Sequence, residues 1–317
     1  MQRRSSPRLA NVERLRLVAM YEIVAFHVSE HRLPVVAGLG LPVFLLLNNV
    51  FNTTLAERMG TRAFLNTKVS RLLLPWLIWN LIYLGLLLAE RWRHGEQLTY
   101  GFSFMMVLGG TYEHLWFVPF ALLGAVLLAG AQGLTSAAAN GWACAAALLV
   151  AAATTFASAW LLAPGTIGWP WLQWLFALPA VPFGFALGRA ILAVDPRVRA
   201  RVAAVAGAAA VICLGAGLAW GLGRVWGWPA PEEVVRRYAV ALALVGVGFV
   251  WPGTADRVSV RLTPLLFGVY LSHPLIVRVY QATHLPEPPL ALFALAIFCA
   301  SALFVAILQR TPLRFLV

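Results

Sequence analysis

Charged residues are scarce in this sequence. Only 11% of its 317 residues are Asp, Glu, Lys or Arg, whereas 61% are hydrophobic. A soluble globular chain carries about 25% charged residues. So few charges could not cover the surface of a soluble protein, and the composition excludes that class. We therefore predict a polytopic membrane protein whose main surroundings are the lipid bilayer.

Acidic residues are the scarcer of the two charged types, with 12 Asp and Glu against 24 Lys and Arg and a net charge of +12. In a membrane protein this excess indicates topology, because Lys and Arg gather in cytoplasmic loops. There are three cysteines, all in apolar runs, with no CxxC pair and no nearby His at ligand spacing. We therefore predict neither a nucleic-acid partner nor a metal site.

Long apolar runs, in contrast, are abundant. A spanning helix needs about 20 mostly apolar residues. The apolar stretch 100–110 is therefore too short to cross the membrane. We predict an all-α fold, a polytopic membrane helical bundle of about ten transmembrane helices, with residues 1–317 forming a single integral membrane domain. The predicted spans are 13–31, 33–51, 72–89, 112–130, 142–162, 171–191, 202–222, 237–252, 263–280 and 290–309.

The distribution of basic residues predicts the orientation of this bundle. If the N-terminus is cytoplasmic and ten helices alternate, 17 Lys and Arg residues lie on the cytoplasmic side and 7 on the outer side. This asymmetry favours both termini in the cytoplasm. The predicted location is the cell membrane (the inner, or cytoplasmic, membrane), crossed several times by the chain.

The first predicted helix contains ionisable residues, which are costly inside a membrane and mark functional sites. Arg16 and His27 are eleven residues apart, so they share a face and lie about 16 Å apart along the axis. Glu30 adjoins His27 on that surface. His27 could act as a general base with Glu30 orienting its ring, as a carboxylate does in a hydrolase triad. Alternatively, both side chains simply lie at the membrane interface.

A second polar feature is the pair Lys68 and Arg71, spaced i, i+3 on one helix face. Such a pair suits the binding of phosphate groups. The alternative is ordinary anchoring of a helix end at the cytoplasmic surface. Further along, His114 and Trp116 begin an apolar run, where they could form part of an interfacial belt, and His273 is set deep in a predicted span before Pro274.

Five stretches in order resemble the membrane acyltransferase 3 family, integral membrane proteins that O-acylate sugars and other hydroxyl compounds. The likeness covers about residues 14–280. Two departures are Asn48-Asn49, where the family has Ser-Gly, and Lys68, where it has Arg. The stretches are RLVAMYEIVAFH (16–27), GLPVFLLLNNVF (40–51), FLNTKVSRLLLPW (64–76), HLWFVP (114–119) and FGVYLSHPL (267–275).

The resemblance implies an O-acyltransferase that moves an acyl group, by default acetyl, from a cytoplasmic acyl-CoA to a hydroxyl of a sugar or glycan acceptor. No permanently bound cofactor is expected; acetyl-CoA or another acyl-CoA is the donor substrate. Three sets of residues follow: catalytic His27 with Glu30; Arg16, Lys68 and Arg71 for the donor phosphates; and, on the acceptor side, His114, Trp116, Tyr270 and His273.

A transporter or flippase for a lipid-linked or small polar substrate is the main alternative, because buried Glu, His and Arg residues also suit proton-coupled transport. Transporters often have paired halves with interrupted helices, and we find no such symmetry in the sequence. A sensory or scaffold protein is a third alternative. It would not need Arg16 and His27 on one helix face.

Overall fold

The computed structural model of the protein describes residues 10–29, 38–98, 102–134, 140–162, 166–192, 232–251, 253–254 and 257–317, with a few single positions between 204 and 215. Every regular element within these ranges is helical. The all-α prediction is therefore confirmed for the described residues.

The α-helices are numbered here in chain order, and three short 3₁₀ helices lie between or after them at Glu113–Trp116, Thr263–Leu265 and Pro312–Leu316. The α-helices are α1 (Ala10–Val28), α2 (Gly40–Met59), α3 (Thr61–His94), α4 (Met106–Gly109), α5 (Phe117–Leu134), α6 (Asn140–Leu162), α7 (Trp171–Ala177), α8 (Ala180–Leu192), α9 (Glu232–Val250), α10 (Arg257–Leu262), α11 (Leu266–Gln281) and α12 (Leu290–Leu308).

Six stretches of the described chain are long and apolar enough to cross a membrane, and each overlaps a predicted span. The predicted spans 13–31, 33–51 and 237–252 overlap α1, α2 and α9, which are not among these six stretches, and most of 202–222 lies outside the described residues. The total of ten crossings and the side of the termini stay predictions. The six stretches are Thr61–His94, Glu113–Leu134, Trp142–Leu162, Trp171–Ile191, Arg257–Gln281 and Leu290–Leu308.

Helix α2 forms the centre of the bundle, because it packs against α1, α3, α5, α8 and α9. Its contact with α8 is close: a methyl group on Gly184 would collide with the Cβ of Asn49, and one on Gly188 would collide with Thr53. Small residues allow helix backbones to approach in this way inside membranes. Helices α11 and α12 pack against each other and against α1, and this places the end of α1 beside α11.

Candidate active site

A cavity of about 490 Å³ lies at the C-terminal end of α1, beside the start of α2. Its wall combines aromatic and aliphatic side chains with five polar ones. This is the usual make-up of a binding site for a small molecule. The aromatic lining residues are Phe26, Trp116, Trp169, Phe176 and Tyr270, and the polar ones are Glu22, His27, Glu113, Gln173 and Arg237.

His27 is a half-buried residue in the last turn of α1, and it lines the cavity. Two other histidine rings lie behind it, away from the cavity. The ring centroid of His27 is 5.1 Å from that of His273 and 6.3 Å from that of His114. His114 and His273 are in turn 5.4 Å apart. Three histidines that are distant in sequence therefore form one cluster, and only His27 of the three lines the cavity.

His114 is held in place by its neighbours on α3 and α11. The backbone N–H of Thr111 donates to Asn80 Oδ1 at 2.7 Å, and Trp76 Nε1 donates to the carbonyl oxygen of Leu115 at 3.1 Å. The hydroxyl of Tyr270 donates to the carbonyl oxygen of His114 itself. These bonds fix the 3₁₀ turn Glu113–Trp116 at both ends, and the ring of His114 is 1% exposed.

His273 is fully buried on α11, and the proline that follows it explains its orientation. Pro274 has no N–H, so the carbonyl of Tyr270 lacks its usual partner four residues ahead. His273 Nδ1 lies 2.9 Å from that oxygen. A carbonyl oxygen only accepts hydrogen bonds, so Nδ1 carries the proton. The other ring nitrogen, Nε2, has no hydrogen-bond partner within the described residues.

Glu22 and Arg237 form the polar wall where α2 begins. Glu22 Oε1 accepts a hydrogen bond from the backbone N–H of Leu39 at 2.8 Å, immediately before α2. A carboxylate is favourable there, because the first N–H groups of a helix lack partners and its dipole is positive at that end. Arg237 of α9 lies close enough to act electrostatically on Glu22. Both residues also line the cavity.

The three basic residues predicted for the donor lie on other surfaces. Arg16 pairs with Glu13 at 3.1 Å, and its guanidinium carbon is 5.3 Å from the ring centroid of Phe51 on α2. On α3, Lys68 is half-buried and Arg71 is exposed. None of the three is among the residues that line the cavity in the described part of the chain.

The structure therefore brings several of the predicted site residues together. His27, Trp116 and Tyr270 line one cavity, and His114 and His273 are buried against His27. Glu30 lies outside the described residues. In the ranges that the structure does describe, no group of three or more His, Cys, Asp or Glu side chains could hold a metal ion.

Sequence reasoning missed part of the polar wall. Helix geometry places Glu22 about 140° away from His27 on α1, and the sequence alone does not predict the two residues in one site. Both residues line the cavity because the start of α2 lies against that part of α1. Gln173 and Arg237 come from later parts of the chain that match no motif. Their only signal in the sequence is a polar residue at the edge of an apolar run.

One of the comparisons with known proteins gives a match. The family model described as an acyltransferase domain matches residues 9–310, nearly the whole chain. The chain matches no curated protein and no solved structure. The matched range includes every helix from α1 to α12 and the whole lining of the cavity. On this match the chain belongs to the acyltransferase 3 family and is an acyltransferase with several helices able to span a membrane.

Proposed function

We propose that this protein is a membrane O-acyltransferase in which His27 is the general base. It moves an acyl group, by default acetyl, from a cytoplasmic acyl-CoA to a hydroxyl of a sugar or glycan. The supporting observation is that His27 is the one histidine of the three-ring cluster that lines the cavity. A base must reach the proton that it removes, and His27 meets that condition.

The reaction needs one proton acceptor and one proton donor. His27 takes the proton of the acceptor hydroxyl while its oxygen attacks the thioester carbonyl carbon. As the tetrahedral intermediate collapses, the carbon–sulfur bond breaks, and the thiolate of coenzyme A takes the proton back from His27. Acylated product and free coenzyme A leave, and the enzyme is unchanged. A site enclosed by helices also excludes water that would hydrolyse the thioester.

Trp116 and Tyr270 are proposed to bind the acceptor. Both line the cavity with His27, and an aromatic face suits the apolar face of a sugar ring. Arg16, Lys68 and Arg71 are proposed to bind the phosphates of the donor, and Glu30 to orient His27. His114 and His273 stay predicted acceptor-side residues, although their rings lie behind the cavity wall.

The test is acyl transfer by the purified protein in lipid nanodiscs, with labelled acetyl-CoA and a panel of hexoses, hexosamines and lipid-linked sugars. We expect His27→Ala to lower the rate by about a hundredfold or more, the usual contribution of a general base. His94→Ala is the matched control, because His94 is an exposed histidine at the end of α3. Transfer by His27→Ala at the wild-type rate would remove His27 from the mechanism.

The same preparation separates the enzyme from a transporter. Acylated product with wild-type protein and none with empty nanodiscs supports the enzyme. Uptake of a labelled sugar into proteoliposomes, with no acylated product from any member of the panel, would favour the transporter instead.

A further inference from the structure

We infer that His273 is a positioning residue whose bare Nε2 accepts a hydrogen bond from the ring N–H of His27. This bond would keep the other nitrogen of His27 unprotonated and directed to the cavity. The inference rests on the proposed function, because it assigns the group that orients the proposed base.

The first observation is that His273 Nε2, like Nδ1 of His114, is a buried acceptor with no donor among the described residues. His273 Nδ1 lies 2.9 Å from the carbonyl oxygen of Tyr270 and 3.2 Å from that of Val269. This fixes the proton on Nδ1 and leaves a lone pair on Nε2 in the neutral ring. Nε2 is buried and has no hydrogen-bond partner among the described residues. A buried polar atom without a partner is costly, and in a native structure it calls for an explanation.

The second observation is which donor lies nearby. Three rings surround His273: His27 at 5.1 Å, His114 at 5.4 Å and Tyr270 at 6.2 Å between centroids. His114 Nε2 lies 3.3 Å from the carbonyl oxygen of Leu271, so its proton is directed there. The Tyr270 hydroxyl donates to the carbonyl oxygen of His114. Among these neighbours, His27 is therefore the ring whose N–H suits Nε2.

The separation of the rings agrees with such a bond. An N–H···N bond spans about 3 Å, and each nitrogen lies about 1 Å from its ring centre, so bonded imidazoles have centroids about 5 Å apart. The His27–His273 separation of 5.1 Å falls at that value, and the His27–His114 separation of 6.3 Å exceeds it.

A neutral acceptor also suits this position physically. The side chain of His273 is 0% exposed. A carboxylate at this position would carry a large desolvation cost, whereas the neutral imidazole does not. When His27 becomes protonated during the reaction, its N–H points at the lone pair of His273, and the positive charge is stabilised. A neutral imidazole has a single N–H. On this inference the group that accepts it from His27 lies inside the bundle, and the proposed role of Glu30 does not use the same N–H.

The test compares three variants by steady-state kinetics on whichever acceptor the wild-type protein acetylates. His273→Leu removes the acceptor atom, and we expect kcat to fall about 10–100-fold, by analogy with the partners that orient metal-bound histidines, with both KM values unchanged. His273→Gln supplies an amide oxygen near the depth of Nε2, and we expect it to restore most of the rate. His94→Leu is the control. A raised acceptor KM with unchanged kcat would instead indicate acceptor binding and overturn the inference.

A second readout does not depend on acyl transfer. In protein labelled with ¹⁵N-histidine and lacking the other three histidines (His31, His94 and His284), NMR distinguishes protonated from bare ring nitrogens. We expect one tautomer of His27 in the wild-type cluster and in His273→Gln, and a mixture in His273→Leu. An unchanged His27 spectrum in His273→Leu would overturn the inference even if the enzyme proposal holds.

Discussion

Pro274 removes one backbone donor from α11, and the preceding His273 supplies a replacement from its side chain. The carbonyl of Tyr270 is thereby satisfied, and the tautomer of His273 follows from the same contact. At the scale of single residues, the orientation of the side chains in this site thus depends on which backbone groups lack a backbone hydrogen-bond partner. The same logic applies to Glu22, whose carboxylate receives the N–H of Leu39 before α2 begins.

Arg71 is the residue that tests the predicted binding of the donor phosphates. It is exposed on α3, one turn from Lys68, and its guanidinium can bind a phosphate through two hydrogen bonds. A hydrogen bond to a charged group contributes roughly 1.5–3 kcal/mol, so we expect Arg71→Ala to raise the KM for acetyl-CoA at least about tenfold. The KM for the acceptor should not change. The measurement is a titration of acetyl-CoA at saturating acceptor.

Arg62→Ala is the control for that titration, because Arg62 is another exposed arginine on the same helix. It removes one positive charge and leaves Arg71 in place. If both variants raise the donor KM equally, the effect comes from the general charge of the surface. An unchanged donor KM in Arg71→Ala would contradict the phosphate role.

At the scale of elements, the contact between α2 and α8 accounts for one departure from the family pattern. Asn49 stands where the family has Gly, and the extra side chain is buried. Gly184 of α8 and Gly124 of α5 face it: a methyl group on Gly184 would overlap Asn49, and one on Gly124 would lie 3.4 Å from Asn49 Oδ1. The facing helices thus provide the space that the longer side chain occupies.

We therefore expect Gly184→Ala to destabilise the bundle by about 1–3 kcal/mol, the usual cost of overpacking a core. The double variant Gly184→Ala/Asn49→Gly should recover only part of this loss, because the Cβ of Asn49 is gone but its backbone C and Cα atoms remain 3.0 and 3.1 Å from the new methyl group. Thermal unfolding in detergent measures both. Gly85→Ala on α3 is the matched control, since a methyl group there contacts nothing within 4 Å. Equal losses from Gly184→Ala and Gly85→Ala would contradict the packing argument.

The sequence predicted those features that depend on the free-energy cost of placing a residue in a membrane. Buried ionisable side chains are costly, so His27 and His273 stood out, and apolar runs located the six stretches that can cross a membrane. It was not informative about which later helices close the cavity. Arg237 and Gln173 belong to α9 and α7, and their place depends on the packing of α9 against α2 and of α7 against α6. The hydrophobic periodicity of one helix does not predict which other helices pack against it.

At the scale of the whole molecule, the number of crossings determines which loops share a side. Between the loop at Arg58 and the loop at His284, seven crossings are predicted, and an odd number places the two loops on opposite sides of the membrane. If the stretch 202–222 did not cross, six would remain and both loops would lie on the same side. The basic residues favour the first arrangement, with Arg58 in the cytoplasm.

Cysteine labelling of whole cells decides between the two arrangements. In a variant with Cys144, Cys213 and Cys299 replaced by Ser, single cysteines are introduced as Arg58→Cys and His284→Cys, both at exposed positions. A membrane-impermeant maleimide should label His284→Cys in intact cells, and Arg58→Cys only after the cells are lysed. Labelling of both sites in intact cells, or of neither before lysis, would mean an even number of crossings between them and would exclude the ten-helix arrangement.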